Sequence, residues 1–321
     1  MLRILRLAAL PILMMLASCS SAPIGTSGTT PAPTFSPTGL TASNATPSAT
    51  NAPGAAIPNF THIFVILMEN EEYSNVVGSG EAPYITGLAH QYAQALNFYG
   101  TSHPSLPNYL ELLGGNTFSI TSDCSSCFVN ATNLVDQLEA GHKTWKAYME
   151  DMPTPCYVGS SGDYAQRHNP FIYFDNIRNN ASRCANIVPL TQFSHDLTAS
   201  TLPDFIWITP NLCHDMHDCS VSTGDAWLKG FLPKIFQSSA WASSALFLVW
   251  DEGNTGAGCC QLAHGGHIPM LVISPLGKPG YTSRVNYDHA SLLLTIETAW
   301  NLGTMRDSSC ACTAVMSDFF A

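Results

Sequence analysis

Four apolar runs of strand length constrain what this chain can become: HIFVILM (62–68), DFIWIT (204–209), ALFLVW (245–250) and IPMLVIS (268–274). Each is continuous rather than alternating. A strand that is apolar at nearly every position must be covered on both faces, as strands of a parallel sheet between helix layers are. Between these runs, apolar residues recur near the helical period in APYITGLAHQYAQAL (82–96), ATNLVDQLEAGH (131–142), DAWLKGFLPKIF (225–236) and HASLLLTIETAW (289–300). Helices alternating with buried strands predict an α/β fold, a mostly parallel central sheet flanked by helices.

The runs share a second property, which concerns where they stop. The first leads into Glu69-Asn70, the second into Pro210-Asn211 and CHDMHD with Asp215 and His217, and the third into Asp251-Glu252-Gly253; the fourth follows HGGH. In open α/β sheets ligands bind outside the carboxyl ends of the strands. If these strands are neighbours, Glu69, Asn70, Asp215, His217, Asp251 and Glu252 face one crevice. So many carboxylates repel unless they are protonated or hold a cation, and a divalent metal is the economical explanation. Oxygen donors favour Mg²⁺, Mn²⁺ or Ca²⁺, and added histidine nitrogen moves the choice toward Zn²⁺ or Fe. The plainer use of Asp and Asn after a strand is as turn former and helix cap. It explains one such pair more readily than three strands ending alike. Met68 and Trp250 read as core residues beside the site.

TSHPSLPNYLELLGG (101–115) places Ser105 at the start of an apolar helical run. Serine is a preferred N-cap and proline is favoured in the first turn. A helix N-terminus also offers free N–H groups and a positive dipole end to an anion, so a serine there is placed either to cap or to meet a phosphate.

Outside the strands, composition sets the boundaries. Residues 1–18 carry Arg3 and Arg6 ahead of an apolar stretch of signal-peptide size, and Leu16-Ala17-Ser18-Cys19 resembles the lipobox of bacterial lipoproteins. That makes 1–18 a lipoprotein signal peptide, with lipid on Cys19 as the membrane link. Residues 19–58 are rich in Ser, Thr, Pro and Ala, with no charged residue, and cannot bury enough surface to fold. They read as a disordered tether to a single catalytic domain, 59–321. Ten cysteines follow Cys19, an even number that in an exported chain predicts disulfides rather than a thiolate metal site at Cys124-Ser-Ser-Cys127. All 23 acidic residues follow the tether while two of the 12 basic ones precede it, so the folded block carries a formal charge of −13. Such a surface repels nucleic acid and anionic bilayers, which excludes them as primary partners.

VILMENEEYSN, TSHPSLPNYLELLGGN, YAQRHNPFIYF, PNLCHDMHDCSVSTGDAWL, VWDEG and NYDHASLLLTIE together resemble the bacterial phosphoesterase family of metal-dependent acid phosphatases and phospholipases C, itself similar to the alkaline phosphatase superfamily. The resemblance implies an alkaline phosphatase-like fold and a divalent metal held by Glu69, Asn70, Asp251 and Glu252. It implies Ser105 as nucleophile, since SLPN with Asn108 resembles a Thr-Phe-Pro-Asn stretch of related phosphodiesterases, and it sets His217 and Asp215 near the phosphate. His103, His168 and Asn116 match further family positions. Relatives often carry Asn where this chain has His214, and His264, His267 and His289 are candidates for either structure or site. The activity implied is hydrolysis of phosphate monoesters through a phosphoserine, with a phosphate ester as partner and no protein partner. The chain is expected to work outside the cell, secreted or on the outer face of the membrane. A phospholipase C is the second reading, and a lipid-anchored solute-binding protein on a degenerate enzyme fold is the third.

Overall fold

His62–Met68, the first apolar run, is strand β1 and lies in the interior of an eight-stranded sheet. Six of its seven residues are buried, because a strand hydrogen-bonded on both edges and covered on both faces has nowhere to expose a side chain. The structure, a computed structural model, describes residues 56–320. The expected signal peptide, the lipidation at Cys19 and all but the last three residues of the tether lie outside the described residues.

Both neighbours of β1 are the other long apolar runs, β5 (Phe205–Thr209) and β6 (Ser244–Trp250), parallel to it. Past β5 come β3 (Trp145–Met149) and the edge strand β4 (Ile187–Pro189). Past β6 come β7 (Met270–Ile273), β2 (Ala93–Tyr99) and the other edge, β8 (Tyr281–Asp288). Only β7 opposes its neighbours; every other pairing is parallel. The sheet is therefore mostly parallel, as the continuous apolar runs predict. Edge strand β8 exposes Arg284, Val285 and Asn286 in succession, which blunts its unpaired rim with polar groups.

Register decides what meets at the carboxyl ends. Met68 pairs with Trp250, both fully buried in the core, so the chain leaves β1 and β6 side by side into Glu69 and Asp251. Because β7 is reversed, it is its amino end, just after HGGH, that lies at this same rim. There Gly265 N–H donates to Gly100 O at 2.8 Å and Gly253 N–H donates to Gly265 O at 2.7 Å. Neither contact leaves room for a Cβ at Gly265, where one would stand 2.6 Å from Ser102 O.

The helical expectations hold for His289–Trp300, for Val221–Phe236, which starts four residues earlier, and for Leu134–Ala140 within 131–142. The stretch 82–96 is corrected. Its helix is Pro83–Gln91, burying Ile85, Leu88 and Ala89, and the chain then turns at Tyr92 into β2. Pairing with β7 and β8 overrides the local preference of Ala93, Gln94 and Ala95. All ten cysteines after Cys19 are paired: Cys124–Cys127, Cys156–Cys184, Cys213–Cys219, Cys259–Cys260 and Cys310–Cys312. Cys124 and Cys127 are a disulfide and not a metal site.

Candidate active site

The helix Ser105–Gly114 follows β2 after a short loop, and all ten of its residues are buried. Ser105 is its first helical residue. The N-cap is Pro104, which makes no side-chain cap bond, and the Ser105 hydroxyl turns away from the backbone. Oγ lies 3.0 Å from Glu69 Oε2 and 3.1 Å from Glu252 Oε1, within donating distance of both carboxylates. One turn on, Tyr109 donates its phenol to Glu69 Oε1. The i, i+4 spacing thus aims two hydroxyls from one helix face at one carboxylate.

Glu69, Asp251 and Asp215 are each fully buried. Glu69 N–H donates to Asp215 O at 2.9 Å, and Asn70 N–H donates to Asp251 Oδ1 at 3.1 Å. Asn70 reaches that bond with φ +48°, a left-handed conformation that Asn tolerates better than most residues. His168 lies between carboxylates, Nε2 3.2 Å from Glu69 Oε1 and Nδ1 3.2 Å from Asp215 Oδ2, with its ring stacked on Tyr109 at 5.3 Å. Both separations are close but lack hydrogen-bond alignment. His168 Nε2, Asp215 Oδ2 and Asp251 Oδ2 are consequently buried without hydrogen-bond partners.

Burial, with Asp251 and Asp215 close by, raises the Glu69 carboxyl far above its usual range. Burial and then Glu252 do the same to Asp251, while burial pushes Asp215 up to about 7. Burial, with Arg167 and His217 nearby, pushes His168 down. Asp215 Oδ2 and Asp251 Oδ2, carboxylate oxygens buried in a dry site without a donor, are what a divalent cation would satisfy, so the residues present fit one. Glu69, His168 and His217 offer three ligand atoms within 4.8 Å of one another. That group joins one residue expected as a ligand to two expected to act on the substrate.

The other predicted residues divide into those at the site and those elsewhere. His103 sets Nδ1 against Glu252 Oε2 and Nε2 2.9 Å from Thr255 O. Asn108 is fully buried and commits its amide to the loop before Ser105, accepting from Ser102 N at 2.9 Å and donating to Ser102 O and Pro104 O. It holds the loop before Ser105 in shape. His217 follows Asp215, whose Oδ1 accepts the His217 backbone N–H at 2.8 Å, and its ring Nδ1 is 2.6 Å from Asp218. Asn116 sits past the far end of the Ser105–Gly114 helix and bonds Asp307, away from Ser105. His214 pairs with Glu150 at 2.9 Å and stacks on Trp227. His289 is buried between Thr101 and Trp250 O, and burial lowers its pKa to about 4. His267 donates to Leu96 O between Tyr73 and Tyr99, and His264 is exposed.

Three further residues at the site carry little sequence signal. Tyr109 reads as one more helix residue, although its place four after Ser105 marks the same face. Asp123 accepts the Leu106 N–H at 3.0 Å, and Arg167 approaches His217 Nε2 at 3.0 Å. Arg167 could have been noticed as one of few basic residues in an acidic block, beside His168.

The buried carboxylates set a pH dependence for the metal-free chain. Above about pH 6.5 ordinary histidines are mostly neutral, and His168 and His289 stay neutral when folded. The carboxylates then decide the slope. A carboxyl whose folded pKa is raised lends stability at low pH that is lost as pH rises through that value. With chelator present, Tm is therefore expected to fall between about pH 6.5 and 8, through the value of about 7 at Asp215. Added divalent cation should remove that fall, since it binds the ionised form. A chelated Tm that rises over the same interval would contradict the clustering.

The family model of the phosphoesterase family matches residues 79–303. The chain is 32% identical over 262 residues to a probable acid phosphatase of Kluyveromyces lactis, covering 78% of this chain and 59% of that protein. It is 32% identical over 252 residues to a phosphatidylinositol-3-phosphatase of Mycobacterium tuberculosis, covering 77% and 79%. A non-hemolytic phospholipase C of Burkholderia pseudomallei is 24% identical over 227 residues, covering 52% and 31%. The chain thus spans less than two thirds of the length of the first of these relatives. In fold it is similar to an alkaline phosphatase superfamily protein from Vibrio parahaemolyticus, with TM-score 0.53 and 14% identity over 80% of this chain and 72% of that one. A lipoteichoic acid synthase from Listeria monocytogenes gives TM-score 0.56 and 11% identity over 83% and 76%. Matched by the family model over most of its described length, and built on an alkaline phosphatase-like α/β fold, the chain belongs to the phosphoesterase family.

Proposed function

We propose that the chain is a phosphoric ester hydrolase that cleaves phosphate monoesters through a phosphoserine on Ser105, with the help of a divalent metal. The observation that carries this reading is the Ser105 hydroxyl, buried at a helix start and within hydrogen-bond reach of Glu69 and Glu252 instead of the backbone. A capping serine would bond the first turn; this one has its proton directed at carboxylates. Glu69, Asn70, Asp251 and Glu252 would hold the metal, with His168 as a further nitrogen donor, and when bound it supplies Lewis acidity that lowers the hydroxyl pKa and offsets phosphoryl charge.

Ser105 Oγ attacks phosphorus in line. Its bond to phosphorus forms as the ester P–O bond breaks, and its proton passes to a carboxylate oxygen of Glu69 or Glu252. The positive end of the Ser105–Gly114 helix favours the charge that develops on the phosphoryl oxygens. His217, backed by Asp218 and anchored by its backbone N–H to Asp215, supplies a proton to the leaving oxygen or orients the water that follows. That water cleaves the phosphoserine, releasing phosphate and restoring Ser105.

Monoesters are favoured because the relatives at 32% identity are named as phosphatases, whereas those named phospholipase C match at 24% and 22%. The acidic block also lacks, in sequence, a basic amphipathic segment of the kind that docks on anionic bilayers. kcat/KM for a small aryl phosphate is expected to exceed that for short-chain phosphatidylcholine. A clear advantage for the phospholipid would select the phospholipase C reading. The five disulfides fit an exported chain, and we place the enzyme outside the cell, tethered through 19–58 by lipid on Cys19. An intact mass of the mature protein that begins at a lipidated Cys19 is the expected result, and an unmodified amino terminus elsewhere would remove the anchor.

A further inference from the structure

A second group of acidic side chains meets at the far end of the Ser105–Gly114 helix, apart from the carboxylates already described. Glu111 lies six residues beyond Ser105, about 9 Å along the helix axis. It is 1% exposed, and neither of its carboxylate oxygens has a hydrogen-bond partner. The Asp307 carboxylate stands within hydrogen-bonding reach of it, and Asp288 is near enough to repel it. Burial, then Asp307 and Asp288, push the Glu111 carboxyl far above its usual range.

The groups around Glu111 leave its charge unanswered. Arg306 draws it down a little, but the guanidinium is committed elsewhere, Nη1 donating to Gly114 O at 2.7 Å and Nη2 to Thr132 Oγ1 at 2.9 Å. Asp288 caps the helix His289–Trp300, its Oδ1 accepting from Ser291 N and Oγ. Asp307 Oδ2 accepts from Asn116 Nδ2 at 3.3 Å. Three carboxylates therefore stand against one guanidinium, and the most buried of them has both oxygens bare. A buried carboxylate without a donor is strongly unfavourable unless a counter-charge reaches it.

The backbone brings these groups together. Asp307 N–H donates to Gly115 O at 3.0 Å, which pins the turn Arg306–Ser309 against the end of the Ser105–Gly114 helix. Gly115 permits this approach, with φ +64° and a position where a Cβ would stand 3.0 Å from Met305 O. Asp307 is only half-buried, so the group is open to solvent on that side.

We propose that Glu111 and Asp307 form a second divalent cation site, one that prefers calcium and clamps the turn Arg306–Ser309 to the end of the Ser105–Gly114 helix. Glu111 supplies both oxygens and Asp307 the oxygen that Asn116 leaves free, with water completing the shell from the half-exposed side. Asp288 adds negative field without ligating, because its carboxylate serves its own helix. Oxygen donors alone select a hard cation. Calcium accepts bidentate carboxylates and irregular geometry, whereas magnesium demands a near-ideal octahedron. With only two carboxylates in direct reach, binding is expected to be weak, with Kd about 10⁻⁴–10⁻³ M. The site is independent of the role given to Ser105.

Four full-length proteins test it: the parent, Glu111→Gln, Asp251→Asn and the double variant, each assayed for calcium by elemental analysis after dialysis and for Tm with and without calcium. Glu111→Gln keeps the size of the side chain and removes a buried like charge, so its Tm in chelator should hold or rise. Dialysed against calcium at about ten times the expected Kd, it should retain one calcium fewer per chain than the parent. Asp251→Asn, weakened at the Ser105 site, should still gain roughly 2–4 °C in Tm from calcium, and the double variant should lose that gain. Equal calcium content in the parent and Glu111→Gln would overturn the proposal. So would an equal calcium-induced gain, or none, in Asp251→Asn and the double variant, since Glu111 would then be neutralised by a proton shared with Asp307.

Discussion

Ser105→Ala is expected to lower kcat on an aryl phosphate by about 10³-fold or more, the scale seen when a covalent nucleophile is removed. The fold should survive. Ser105 is the first residue of its helix and makes no cap bond, so alanine costs the backbone nothing there, and Asn108 still holds the preceding loop. What disappears is the one hydroxyl shared by Glu69 and Glu252. Acid-quenched parent enzyme should carry phosphate on the peptide that contains residue 105, and the variant should not. Near-parental turnover in Ser105→Ala would reduce the serine to a helix-start residue and leave attack to water.

Glu69→Gln and Asp251→Asn should each strip cation from the protein and with it most activity. Each removes a charged oxygen donor from a site that has several and replaces it with a weaker neutral one. The two states of the protein should respond in opposite directions. Without cation, neutralising one of several buried like charges relieves repulsion, so Tm in chelator should hold or rise. With cation, the parent gains stability through binding, about 2.7 kcal/mol at a hundredfold excess over Kd, and the variants lose most of that gain. Elemental analysis together with Tm in the presence and absence of cation checks both directions. Unchanged metal content in both variants would refute the assignment of these carboxylates.

The parts of this fold that were legible in the sequence are those with a single environment along their length. β1, β5 and β6 are covered on both faces and read as apolar runs, and each run delivered its polar sequel to the same rim. β2, β3, β4 and β8 were not legible. β2 opens on Ala-Gln-Ala and continues a helical pattern, β4 has three residues, and β8 mixes Ser, Arg and Asn along an exposed edge. Such strands are defined by their partners and not by their own composition. The site divides in the same way. Glu69, Asp251 and Glu252 follow buried strands and Ser105 opens a buried helix, so position alone marks them. Asp123 and Arg167 arrive on irregular loops, where no period announces a direction, and Tyr109 is hidden among leucines. Asn116 shows the opposite error, since a family match at one end of a helix says nothing about which end the side chain serves.

The reversal of β7 has a practical side. β6 and β7 are antiparallel neighbours, so residues 251–269 form a hairpin connection that leaves and returns at one rim, whereas parallel strands need a crossover around the sheet. Both feet of this connection are clamped by one side chain: Glu72 Oε1 accepts from Asn254 N, Thr255 N and Thr255 Oγ1, and Oε2 accepts from His267 N. Between those feet, short of His264, Gly265 and Gly266, which pack against Gly100, Thr101 and Gly253, the connection can be lengthened without disturbing strand register, at an entropic cost that grows by only about 0.6 kcal/mol per doubling of loop length. The connection is the natural graft point for anyone wishing to re-tailor access to Ser105, for instance to admit bulkier leaving groups or to screen them out.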